Sequence, residues 1–138
     1  MKVLMWHCKE FEAALVGESD MPETVIPEKK RMETEKMGNC IVAMVTVEKK
    51  DVPSASSKKC VAEIKKFAAD TKSANIVVMP FVHLSNKIAD SGQALKTVEL
   101  IEGALAADFN VLRSHFGHHK ELLLHTFGHK VNVRYREL

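Results

Sequence analysis

The chain has only three cysteines in 138 residues, Cys8, Cys40 and Cys60, an odd number with no C-x-x-C spacing. That excludes a disulfide framework and a zinc knuckle and leaves buried free thiols as the expectation. Long hydrophobic runs are missing too. The longest, Cys40 to Val47 and Ile76 to Leu84, fall far short of the roughly 20 residues that cross a bilayer, and the second contains Pro80 and His83. The first residues pass from Lys2 straight into Val3, Leu4, Met5, Trp6, His7 and Cys8, without a signal peptide's long apolar stretch or small-residue cleavage site. No membrane partner and a cytoplasmic location are therefore expected. There is no Ser/His/Asp triad, G-x-S-x-G elbow or P-loop. Charge of one sign is scarce as well: 20 lysines and arginines against 18 acids give +2, a weak global attraction for a polyanion.

What is present is enough apolar material for one core. At 138 residues and 46% hydrophobic, the chain suits a single domain spanning 1–138. Lys2 to Cys8 reads as a buried first strand that ends before the charged Lys9 and Glu10. The polar stretch 18–36, with Pro22 and Pro27, reads as a loop or irregular hairpin. Cys40 to Val47 is apolar at nearly every position, as a central strand covered on both faces would be.

After Pro53 a serine-rich stretch can cap a helix, in which Val61, Ile64, Phe67, Ala68 and Thr71 recur at helical spacing. Ile76 to Met79 forms a third strand, and Pro80 requires either that pairing stop there or that the strand lie at an edge. Asp90 or Ser91 can cap a second helix whose buried stripe is Ala94, Leu95, Val98, Ile101 and Leu105. Short strands follow at Asn110 to Leu112 and Glu121 to Thr126. Val131, Val133 and Tyr135 then alternate with Asn132, Arg134 and Arg136 in a terminal strand with one wet face. The class is mixed α/β, a sheet of about five or six strands with two main helices.

Seven histidines, five of them between His115 and His129, invite a metal site. They lack acid or thiolate partners and an H-E-x-x-H helix, so no metal and no cofactor are expected. His118 and His119 are adjacent, and on a strand they would point to opposite faces, so at most one of them would face a substrate. The lysine pairs at Lys29 and Lys30, Lys49 and Lys50, Lys58 and Lys59, and Lys65 and Lys66 have acids nearby and read as solvated faces.

Several fragments resemble, in order and spacing, the editing domain of archaeal-type threonyl-tRNA synthetase, whose fold is shared with D-aminoacyl-tRNA deacylases. They are M-K-V-L-M-W-H at the start, T-V-E-K at 46–49, P-F-V-H-L-S at 80–85, D-F-N-V at 108–111, and F-G-H-H-K at 116–120 with Gly128 and His129 after it. The resemblance covers essentially the whole chain. It implies hydrolysis of mischarged L-seryl-tRNA(Thr), with the terminal adenosine's 2′-hydroxyl assisting an attacking water. It places the seryl group beside Pro80, Phe81, Val82 and His83, held largely by main-chain groups.

The same resemblance gives Lys120 and His83 catalytic roles, with His7, His118 and His119 near the substrate. Arg113, Arg134 and Arg136 flank the expected pocket and are the candidates for tRNA phosphate. Partners implied are seryl-tRNA(Thr), a second copy of the chain in a homodimer, and a synthetase catalytic core in cis or in trans. The chain departs from the family at two places: His118 and His119 stand where two tyrosines are common, and Val133 where a glutamate is expected. D-aminoacyl-tRNA deacylation and tRNA binding without hydrolysis are the alternatives.

Overall fold

The computed structural model describes residues 1–16 and 34–138. β1 (Lys2–Leu15) and β2 (Glu35–Thr46) form a long antiparallel pair. Both outrun the sequence expectation of an end at Cys8 and a start at Cys40. Lys9 and Glu10 are exposed, but Phe11 and Ala13 beyond them are buried again, so apolar alternation resumes after the charged pair. The expected loop at 18–36 lies outside the described residues except for its last three, and Glu35 and Lys36 of these belong to β2.

α1 (Pro53–Thr71), β3 (Asn75–Pro80), a 3-10 turn (Val82–Leu84), α2 (Ser91–Leu105), β4 (Asn110–Arg113), β5 (Lys120–Thr126) and β6 (Val133–Glu137) follow. The serines do not cap α1. Val52 takes the N-cap position without a side-chain bond, and Pro53 opens the helix. Proline suits that place because its missing N–H would have been an orphan there and its φ is already helical. α2 begins as expected, with Asp90 accepting from the Gln93 N–H at 2.9 Å.

The sheet order is β4-β3-β2-β1-β5, and β6 shares the outer edge of β1 with β5. β6 pairs with Lys2 to Trp6 and β5 with Cys8 to Leu15. β2, β3 and β4 run parallel, which the crossovers through α1 and α2 allow. β3 is thus internal, and at Pro80 the pairing stops: β4 reaches only as far as Val78. Alternation divides the strand residues between two cores. Val3, Met5, Ile41, Ala43, Val45, Ile76 and Val78 pack with Ile64, Phe67, Val98, Ile101 and Leu105 of the helices. Cys8, Cys40, Val42, Met44, Val77 and Met79 pack on the opposite face with Phe11 and Ala13. All three cysteines are free and buried, and burial pushes their thiols up to about 11 for Cys8 and about 12 for Cys40 and Cys60.

β6 has no single wet face, since Val133, Tyr135, Arg136 and Glu137 are all exposed. Val133 and Tyr135 are 43% and 42% exposed, whereas Arg134 lies half-buried, 4.9 Å over the Phe67 ring and 2.6 Å from Asp70. The guanidinium stem covers α1 while the carboxylate keeps its head solvated and paired.

The second core exists because the hairpin bends. Ala43 is the ladder partner of Val78, and Glu35 lies eight residues back along β2, about 26 Å away in a flat strand at ~3.3 Å per residue. Yet the Glu35 carboxylate accepts from Ser114 Oγ at 2.6 Å and the His115 N–H at 3.1 Å, and the Ser114 N–H bonds the Val78 carbonyl at 3.0 Å. The far half of the hairpin therefore curls back over the sheet face opposite the helices. The curl starts where Asn39 holds a left-handed φ of 41° and where the β1–β5 register shifts between Cys8 and Glu10.

Replacing Asn39 tests this bend. Asn39→Ala should lose ~1–2 kcal/mol for the left-handed backbone and about 1 kcal/mol for the bond its Oδ1 makes with His7. Asn39→Gly, which tolerates the φ, should lose less. Urea denaturation followed by Trp6 fluorescence distinguishes them, and equal losses would mean that the conformation at position 39 contributes nothing.

Candidate functional site

A cavity of about 490 Å³ opens at the C-terminal end of β3, with residues 79–83 as one wall and residues 116–120 with Leu122 as the other. The first wall is what Pro80 makes of the strand end. The chain leaves the ladder and enters the 3-10 turn, held by the Phe81 N–H on the Val45 carbonyl at 2.9 Å and by the Thr46 hydroxyl on the Phe81 carbonyl. Phe81 meets the His83 ring edge-on at 5.1 Å, while Val82 and His83 are themselves exposed.

The second wall belongs to the segment that crosses from β4 at one side of the sheet to β5 at the other. Ser114 and His115 are fastened to Glu35, Phe116 is buried, and Gly117 turns the chain at a φ of 77° that favours glycine. Lys120, half-buried at the start of β5, donates from Nζ to the His115 carbonyl. Lys120 thus lines the same cavity as residues 80–83, where an ammonium can polarise a carbonyl or hold a hydroxyl.

Of the residues expected at a site, the structure brings Pro80, Phe81, Val82, His83, His118, His119 and Lys120 together. His118 and His119 both line the cavity, against the expectation that only one could. That expectation assumed a strand, and residues 118 and 119 precede β5 in irregular backbone, so strict alternation does not apply. Met79, Phe116, Gly117 and Leu122 also line it and were not anticipated. Phe116 and Gly117 carried a signal, since they open the F-G-H-H-K fragment. Met79 and Leu122 read as ordinary strand residues and carried none.

His7 lies elsewhere. It pairs with Ile41, whose partner on β3 is Ile76, at the end of that strand away from Pro80. Its Nδ1 is 2.8 Å from His129 Nε2, its Nε2 is 3.2 Å from Asn39 Oδ1, and its ring lies 4.3 Å from that of Phe127. Its burial, first, and the neighbouring His129 depress its pKa, against the raising effect of Asn39. Nor do the three arginines line the cavity. Arg113 pairs with Glu102 at 2.5 Å, Arg134 with Asp70 at 2.6 Å, and Arg136 with Glu63 at 3.2 Å, all with acids of the helices or, for Asp70, the end of α1. A second cavity, of about 450 Å³, lies at the hairpin bend beside Lys9, Phe11, Lys36 and His125 and holds none of the expected site residues.

The archaea-specific editing domain of threonyl-tRNA synthetase matches residues 1–138 as a family. A threonine–tRNA ligase of Methanococcus maripaludis is 33% identical over 142 residues, covering all of this chain and 22% of that protein. Those of Staphylothermus marinus and Methanocaldococcus jannaschii are each 32% identical, covering 96% and 100% of this chain and 21% and 22% of their own. The chain thus spans about a fifth of the length of the curated relatives it matches. Among solved structures, the c-Myc DNA Unwinding Element Binding Protein aligns with a TM-score of 0.65 over 100% of this chain and 99% of its own. At 10% identity that likeness shows the fold alone.

The depressed His7 pKa has a consequence for stability. A histidine that folding makes harder to protonate stabilises the fold fully above its unfolded value near 6.5, and that contribution is lost as pH falls through the lower folded value. Stability should therefore decline from pH 7 towards pH 5, and His7→Gln should flatten that decline. Urea midpoints across this range measure it, and an unchanged slope in the variant would remove His7 as its source.

Proposed function

The chain belongs to the archaea-specific editing-domain family of threonyl-tRNA synthetase, and from that premise we propose that it hydrolyses the ester of mischarged L-seryl-tRNA(Thr) in the cavity between residues 80–83 and 116–120. The observation that carries the proposal is that Lys120 and the strand-end loop 80–83 line one cavity, with the Lys120 ammonium held by the His115 carbonyl. The seryl group sits between the two walls. Main-chain groups at 80–83 hold its α-amino group, and Lys120 holds its hydroxyl or polarises the scissile carbonyl. The 2′-hydroxyl of the terminal adenosine assists the attacking water, so the protein's share is positioning and electrostatics. His83, at the rim, contacts the same substrate.

Threonine differs from serine by one methyl group, worth only ~1–3 kcal/mol in an attractive pocket, so exclusion by shape has to do the sorting. Val133, where the family is expected to carry a glutamate, pairs with Trp6 and lies outside the cavity lining of this chain. Its identity therefore subtracts nothing from the two walls, which favours an active hydrolase over a binding module. On this reading residues 1–138 act as one editing domain in the cytoplasm. Its partners are tRNA(Thr), a second copy of the chain and a synthetase catalytic core in cis or in trans. Arg113, Arg134 and Arg136 reach tRNA phosphate only where they exchange their carboxylates for it.

Ester release from L-seryl-tRNA(Thr), L-threonyl-tRNA(Thr) and a D-aminoacyl-tRNA, measured against the spontaneous rate, tests the proposal. The seryl ester alone should be cleaved quickly, and Lys120→Ala should slow it on the order of 10²-fold, as loss of a charge-stabilising donor does. Preferential loss of the D-ester would move the assignment to chiral deacylation, and no acceleration of any ester would make this a binding domain.

A further inference from the structure

Glu35 is outside the lining of the cavity, yet it lies on the cavity's side of the hairpin. Its ladder partner is Ala13, whose partner on β5 is Leu122, and two residues further along β1 Leu15 pairs with Lys120. Directly paired side chains share a face of the sheet, and so do residues two apart on one strand. Glu35, Ala13, Leu122 and Lys120 therefore project to the same side, where Leu122 and Lys120 line the cavity. The buried carboxylate divides its oxygens between two neighbours in the crossing segment. Oε2 accepts from Ser114 Oγ at 2.6 Å and Oε1 from the His115 N–H at 3.1 Å, with His115 Nε2 3.7 Å from the same Oε1.

One residue bridges this carboxylate and the Lys120 ammonium. His115 gives its N–H to Glu35, and its carbonyl accepts from Lys120 Nζ. An ammonium is a compact charge on a flexible stem, so its place is set by what accepts from it. A peptide carbonyl aims it only as well as the peptide is itself held. Residues 114–119 are irregular backbone with no ladder along them. The segment is tied at its start by the Ser114 N–H on the Val78 carbonyl at 3.0 Å, and at its end by the Val16 N–H on the His119 carbonyl at 3.0 Å. Between these ties Gly117 turns the chain, and Glu35 grips the residue whose carbonyl takes the ammonium.

We propose that Glu35 is a positioning residue for Lys120, acting through the His115 peptide. Its effect on the chemistry passes through the ammonium it aims. The role belongs to where the two side-chain oxygens sit. A glutamine in the same place still accepts from the His115 N–H, and its amide can donate to Ser114 Oγ once that hydroxyl turns away. Alanine offers neither atom and leaves two buried donors to seek new partners, which moves the segment. Aspartate keeps the charge but withdraws it by one methylene. The kinetic consequence rests on the deacylase reading, whereas the placement of Lys120 stands apart from it.

The test is the rate at which a small amine-acylating reagent modifies Lys120, followed by mass spectrometry, with the exposed Lys49 and Lys87 as internal references. It compares the unaltered protein, Glu35→Ala and Glu35→Gln. A held amine reacts only as its bond opens, so Glu35→Ala should react about tenfold faster at Lys120 and unchanged at the references, while Glu35→Gln matches the unaltered protein. On L-seryl-tRNA(Thr), Glu35→Ala should lose on the order of tenfold in kcat with KM nearly unchanged, and Glu35→Gln should keep its rate. In a Lys120→Ala background, Glu35→Ala should cost nothing further, whereas a merely structural role would add its loss to that of the lysine. Should Glu35→Ala fail to fold, Glu35→Asp takes its place. Modification of Lys120 at the unaltered rate in that variant, or an additive loss in the double variant, overturns the proposal. A protein inactive on every ester would sink the deacylase reading and leave the modification rate to decide this one.

Discussion

Glu35 accepts two hydrogen bonds, from the Ser114 hydroxyl and the His115 N–H, and the second layer of the structure depends on them. A carboxylate only 7% exposed is costly to bury, and charge-assisted donors offset that cost. To deliver it there, β1 and β2 must bend at Asn39 and at the register shift beside Cys8. The bend then covers Val42, Val77 and Met79 with Phe11 and Ala13. The same bonds pin the segment that crosses from β4 to β5, so the cavity's second wall is held by a residue that does not line it.

The two walls have different anchors, and each ends in a buried charge. The 116–120 wall hangs from Glu35, and Lys120 is aimed by a peptide carbonyl of the same segment. The 80–83 wall is tied to the buried Glu48 carboxylate through the Ser85 hydroxyl. Both anchors act through backbone and short side chains, which leave little positional slack. The crowd of histidines late in the chain divides by this geometry. His115 lies 3.7 Å from Glu35, His118 and His119 line the cavity, His125 borders the second cavity, and His129 meets His7 at the bend.

Residues close in sequence were legible from sequence. The buried stripe of α1 follows Val61, Ile64, Phe67 and Ala68, and that of α2 follows Val98, Ile101 and Leu105, because a 3.6-residue period is a local property. β3 and its stop at Pro80 were legible for the same reason. Where a local rule had a competitor, the reading slipped. Pro53 outdid the serines as a helix start, a bulge hid the continuation of β1 past Lys9 and Glu10, and Phe67 drew Arg134 inward on β6. Of the site, the loop at 80–83 and Lys120 were readable only through the order and spacing of the family fragments, since neither composition nor charge distinguishes them.

By itself the sequence determined the order of strands and helices, the mixed α/β class, the residues of the larger core, the buried free thiols and, through its fragments, the family. Each of these depends on periods and motifs contained in a short window. Only the tertiary structure decided which distant groups meet: Glu48 with Ser85, Glu35 with Ser114, His7 with His129, and the two walls of the cavity. The bend that brings Glu35 to Ser114 combines a positive φ at Asn39 with the β1–β5 register shift, and buried carboxylates such as Glu35 and Glu48 require donors. Both conditions are satisfied across the whole sheet at once, so no window of sequence contains them.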